Sequence, residues 1–185
     1  QIFERDVPGE NKAGLSGQAI SRLPLETCQT MNGMWGYKVE DQNYKSTKEL
    51  IRLLARTAGK GANLLLNIGP QPDGKLPQAA LQRLSEIGEW MACYGESIYG
   101  TEAGPFKLKE KIVTTQKENL IYVHLLDETL KEVQIPLQEK VKEVKLLRDD
   151  IPLTYKQKDG ILTFNVDIKK ETPDQVVVIK LKKNK

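Results

Sequence analysis

Among its first forty positions the chain carries carboxylates and aromatic side chains whose chemistry can be combined: Glu4, Glu10, Glu26, Trp35 and Tyr37. Two carboxylates placed across a sugar are what glycoside hydrolysis needs, one to protonate the leaving oxygen and one to attack or to activate water. Aromatic faces complement this by packing on the apolar C–H patches of the ring. The same residue types also have an ordinary use. A carboxylate on a Gly/Pro-rich loop is commonly just solvated, and Trp35 serves equally well as core filling. Residue types alone leave both readings open.

Other chemistries find less support. The single histidine, His124, lies in the alternating run Ile121–Tyr122–Val123–His124–Leu125, where core or surface filling accounts for it, and no nucleophilic triad can be assembled around it. Gly59–Lys60–Gly61 precedes an apolar run instead of joining a strand to a helix, so it does not read as a phosphate cradle. Cys28 and Cys93 form no CxxC unit, and with one histidine they do not make a zinc site; neither a metal nor an organic cofactor is expected. A disulfide between them and two free thiols stay equally open.

The net charge of the 185 residues is +3. Residues 1–106 carry 11 Lys+Arg and 12 Asp+Glu, and the remainder carries 17 and 13, ending in the basic Lys180–Lys185 tail. A dense basic face with interleaved aromatics is absent, so nucleic acid is not an expected partner. No run approaches the roughly 20 apolar residues of a membrane helix, so neither is a membrane. The chain opens at Gln1 instead of Met, and sequence upstream of it is expected.

The elements that must position the candidate residues follow from local patterns. Residues 1–24 lack a period and hold Pro8, Gly9, Gly14, Gly17 and Pro24, which reads as a long surface loop. Leu25–Tyr37 reads as a short strand running into an irregular loop. Ser46–Thr47–Lys48–Glu49 is a capping box, and Leu50, Leu53, Leu54 and Ala58 continue it as one helical face up to Gly59 and Gly61. Asn63–Ile68 is nearly all apolar, as a strand of a covered parallel sheet would be. Pro77 starts a second helix carrying Leu81, Leu84, Ile87, Trp90 and Met91. Past Gly104–Pro105 short β-branched runs alternate with polar turns, and Asp159–Gly160 is a hairpin signal. The expected fold is α/β plus all-β, with a boundary near residue 105. A complete (β/α)8 barrel needs about 200 residues or more, so residues 1–105 hold less than half of one.

The segments LETCQTMNGMWGY (25–37) and GKGANLLLNIGPQPDGKLPQAALQRLSEIGEWMACYGESIYGT (59–101) resemble the closing barrel segments of the α-L-fucosidases of glycoside hydrolase family 29. The resemblance implies that residues 1–105 are the C-terminal portion of a (β/α)8-like barrel and 106–185 an antiparallel β-sandwich. It implies a retaining exo-glycosidase that releases terminal α-L-fucose from a fucosylated oligosaccharide or glycoconjugate, at a periplasmic, secreted or lysosomal location. Glu4, in Phe3–Glu4–Arg5–Asp6–Val7–Pro8–Gly9, best matches the context of the family's acid/base, with Glu10 and Glu26 as alternatives; Arg5 is expected to face away from it. Trp35 matches the tryptophan that lines the fucose pocket. The family's nucleophilic aspartate, in a Trp-x-Asp-Gly stretch, and its fucose-contacting histidines have no counterpart among these residues, so an upstream barrel segment is expected to supply them. Leu25 stands where the family usually has tryptophan, which weakens the carry-over at Glu26. The alternative reading is a non-catalytic carbohydrate-binding or structural fragment.

Overall fold

The computed structural model describes residues 2–5, 7, 24–106, 111–169 and 172–183. The chain divides into two compact units, Gln1–Cys93 and Tyr94–Lys185.

In the first unit, strands β1 (Ile2–Glu4), β2 (Leu25–Thr30) and β3 (Ala62–Asn67) form a parallel sheet in the order β1-β2-β3. Glu4 lies opposite Cys28, and Thr30 opposite Asn67, so all three strands end on the same edge. Alternation sorts their side chains to two faces. Phe3, Leu25 and Ala62 form one buried cluster, while Ile2 and Leu65 on the other face are exposed. The sequence reading took residues 1–24 as loop throughout. That is corrected at β1, where Phe3 is buried and the strand pairs with β2; a three-residue strand has too little pattern of its own to be seen before its partner is known.

Helices α1 (Thr47–Gly59) and α2 (Gln78–Tyr94) complete the unit, each within one residue of its expected start. Ser46 and Glu49 form the anticipated capping box: the Ser46 hydroxyl accepts from the Glu49 N–H, and the Ser46 N–H donates to the Glu49 carboxylate. Beyond α1, Gly61 sits at φ +70 and allows the reversal into β3. Leu50 of α1 and Ala80 of α2 meet Met31 in a buried cluster against which Leu66, Ile68 and Ile87 pack. Both helices thereby join the sheet at the loop that follows β2.

The second unit is antiparallel throughout its described residues. A five-stranded sheet has the order β4-β5-β6-β11-β8, from β4 (Glu102–Ala103), β5 (Ile112–Lys117), β6 (Leu120–Leu125), β8 (Val141–Leu146) and β11 (Gln175–Leu181). A three-stranded sheet has the order β7-β10-β9, from β7 (Glu132–Pro136), β9 (Tyr155–Lys158) and β10 (Ile161–Asn165). Ile121, Val123, Val177 and Ile179 from the first sheet share one core with Val133, Ile135, Leu162 and Phe164 from the second, the arrangement of a β-sandwich. The Asp159–Gly160 hairpin forms as read, both residues at positive φ. His124 is fully buried on β6, with Nδ1 2.6 Å from Asp174 and Nε2 3.3 Å from the Thr115 hydroxyl, which itself donates to the Ser97 carbonyl. It ties strands together, in keeping with its reading as core filling.

Candidate active-site segment at the sheet edge

Glu4 is the last residue of β1, and Trp35 lies in the loop that leaves β2. The parallel register brings both to the C-terminal edge of the sheet, where the Trp35 indole N–H donates to a Glu4 carboxylate oxygen at 3.2 Å. Asn67, the last residue of β3, donates from its amide to the Trp35 carbonyl at 2.7 Å. One residue from the end of each of two strands therefore converges on the same tryptophan.

The loop of residues 31–45 is itself tightly held. Lys45 closes it, its N–H donating to the Met31 carbonyl at 2.8 Å and its Nζ to the Thr30 carbonyl at 2.5 Å. Asp41 accepts from the Gly33 N–H at 2.8 Å. Gly69, in the turn after β3, lies so close that an added Cβ would sit 2.5 Å from the Gly36 carbonyl carbon and the Tyr37 nitrogen. That approach needs a residue without a side chain.

Arg5 lies on the same tryptophan: its guanidinium is 5.4 Å from the centre of the Trp35 ring and donates to the Gly33 carbonyl at 3.3 Å. The electrostatics of the loop register it as well. Burial lowers the Lys45 ammonium from its usual range, and the charge of Arg5 lowers it further. Burial likewise raises the Tyr44 hydroxyl, with Tyr37 and Asp41 adding to it.

Of the residues singled out from sequence, the structure brings Glu4 and Trp35 together. Glu26 is the second residue of β2, paired in register with Ile2 and Asn63, which puts it at the opposite end of the sheet. Glu10 lies outside the described residues. Arg5, Asn67, Asp41 and Gly69 were not assigned to a site by the sequence reading. Gly69–Pro70 was legible only as a turn, and no local signal marks Arg5. Among the described residues no group of three or more His, Cys, Asp or Glu is arranged to hold a metal. No helix among them is long and apolar enough to cross a membrane.

The C-terminal edge of parallel strands, where Glu4 and Trp35 meet, is where α/β-barrel enzymes carry their active sites. The family model described as Alpha-L-fucosidase matches residues 1–96. The chain belongs to the alpha-L-fucosidase family. A plasma alpha-L-fucosidase of Pongo abelii is 32% identical over 153 residues, covering 74% of this chain and 32% of that protein. Alpha-L-fucosidase isoenzyme 1 from Paenibacillus thiaminolyticus superposes with a TM-score of 0.84 at 31% identity, over 98% of this chain and 45% of that one. The Thermotoga maritima alpha-fucosidase in complex with fucose gives 0.75 at 27% identity, over 86% of this chain and 40% of its own. The chain thus spans less than half the length of these fucosidases.

Proposed function

We propose that this chain supplies the acid/base half of the active site of a retaining α-L-fucosidase acting on terminal α-L-fucose of glycans. The observation that carries the reading is the Glu4–Trp35 contact at the C-terminal edge of the parallel sheet. In this reading residues 1–105 are the closing part of a (β/α)8 barrel, further parallel strands pairing with the free edges of β1 and β3. The exposed Ile2 and Leu65 then face the barrel interior, and residues 106–185 are the β-sandwich that follows. The resemblance to plasma and tissue fucosidases supports an extracellular or lysosomal setting.

The chemistry divides between two carboxyl groups. Glu4 gives its proton to the glycosidic oxygen as an aspartate outside these residues attacks the anomeric carbon, so that the C–O bond breaks and a fucosyl-enzyme ester forms. Glu4, now ionised, takes a proton from water as the water oxygen attacks the same carbon and the aspartate leaves. Indole donation to one Glu4 oxygen leaves the other to carry the proton, and Trp35 remains over a third exposed, as a sugar-facing aromatic requires. Glu26 is a poorer acid/base because it sits at the far end of β2.

Glu4→Ala in the full-length protein tests this assignment. Hydrolysis of a natural fucosyl linkage should fall by about 10²–10⁴, the usual contribution of a positioned general acid. An aryl fucoside with a good leaving group needs little protonation, so its glycosylation step should suffer far less. Added azide should restore turnover as α-fucosyl azide, since a small anion replaces the water that the missing base no longer activates and attacks the fucosyl-enzyme with the same net retention. Full activity of Glu4→Ala on the natural linkage, with loss in Glu10→Ala or Glu26→Ala, would move the role to that residue.

A further inference from the structure

Arg5 follows the proposed acid directly. Its N–H donates to the Cys28 carbonyl at 2.8 Å, which extends the parallel ladder one step beyond Glu4. Its backbone is then left-handed, at φ +58, a conformation that bulky residues rarely adopt and that persists only where surrounding contacts enforce it. Here those contacts are visible. The turn aims the guanidinium across the loop onto the Trp35 ring at 5.4 Å and the Gly33 carbonyl at 3.3 Å. Trp35 is therefore held at three points: its ring face by Arg5, its indole edge by Glu4 and its carbonyl by Asn67. Only the first two restrain the side chain, because the Asn67 bond leaves χ1 and χ2 free.

We propose that Arg5 is a positioning residue: by stacking on Trp35 it keeps the indole N–H on the Glu4 carboxylate, and so fixes the direction in which the acid presents its proton. The proposal rests on the reading of Glu4 as the acid/base. It assigns Arg5 no contact with substrate. Its effect reaches the reaction through the ring, so it should appear where proton delivery limits the rate and disappear where it does not.

Arg5→Gly in the full-length protein separates this role from a structural one, because glycine adopts φ +58 without strain and the variant should melt no lower than the parent. With an unactivated fucosyl linkage kcat/KM should fall by about three- to tenfold, the range expected for a cation on an aromatic face. With an aryl fucoside of good leaving ability it should stay within about twofold. Arg5→Lys, which keeps a cation near the ring, should recover part of the loss. Trp35→Phe should lose more on the unactivated linkage than on the aryl fucoside, beyond any loss of sugar packing common to both. Adding Arg5→Gly to it should cost nothing more, since the N–H that Arg5 positions is already gone. Equal losses on both substrates, a lowered Tm accompanying them, or additive effects in the double variant would each overturn the proposal. Glu4→Ala measured alongside distinguishes the two ways of failing. If it retains activity on the unactivated linkage, the acid/base reading falls; if it shows the leaving-group signature and Arg5→Gly does not, only the role of Arg5 falls.

Discussion

The main chain directly after Trp35 is closely approached by the turn that follows β3. Gly69 packs against the Gly36–Tyr37 peptide with no room for a Cβ, and the atoms it would strike are main chain, which cannot rotate aside. Gly69→Ala should therefore push the 31–45 loop outward, costing about 1–3 kcal/mol of stability in denaturant titration. In the full-length protein it should also weaken hydrolysis of the natural linkage more than that of an activated aryl fucoside, because Trp35 moves with the loop. Gly36 is the internal comparison: nothing lies within 4 Å of its added Cβ. Gly36→Ala should stay within about 0.5 kcal/mol of the parent. Equal behaviour of the two variants would remove the close approach as the loop's anchor.

At the level of elements, the clearest measurable property lies in β6. Tyr122 is buried there, and its hydroxyl is pushed up to about 12 by burial first and then by the charge and hydrogen bond of Glu96. The folded state keeps this proton where an unfolded tyrosine, near pH 10, has begun to lose it. The contribution to stability is thus complete below about pH 10 and is lost as pH rises from about 10 to about 12. Thermal midpoints recorded from pH 9 upward should fall, and Tyr122→Phe should flatten that fall although it removes a hydrogen bond. Parallel profiles for the two proteins would show that Tyr122 does not set the alkaline limit.

For the molecule as a whole, the proposed function implies a site that these residues share with others. Among the described residues the three parallel strands bring Glu4 to their C-terminal edge, and double displacement requires two carboxyl groups. The Trp-x-Asp-Gly stretch in which the family carries its nucleophile does not occur in these 185 residues. The purified chain should therefore show no turnover of an aryl α-L-fucoside under conditions where the full-length protein is active. Turnover by the chain, free of contaminating enzyme, would mean that both carboxyl groups lie within it and would reopen Glu10 and Glu26 as partners of Glu4.

Elements whose cause is local could be read from the chain alone. The Ser46–Glu49 capping box followed by Leu50 determines where α1 starts, because both partners of the box lie within four consecutive residues. Asp159–Gly160 determines its hairpin, because two positive-φ residues suffice for that turn. The nearly all-apolar run Asn63–Ile68 marks a parallel strand for a similar reason, but the cover read for both its faces is present on one only, Leu65 being exposed among the described residues. β1 and β9 were not individually legible. Phe3 is buried only through pairing with a strand more than twenty residues away, and Tyr155–Lys158 is a polar strand at the edge of its sheet that gains its identity from β10. The choice between Glu4 and Glu26 shows the same division. The resemblance ranks Glu4 first by its sequence context, but it is the parallel register of β1 with β2 that sends one carboxylate to the C-terminal edge and the other to the opposite end. Arg5 and Trp35 meet although thirty positions apart, with a left-handed backbone at one end and a glycine-lined turn at the other. Caps and turns are set by neighbours within one turn of chain, whereas a site is set by distances between strand ends, which exist only once the sheet has formed.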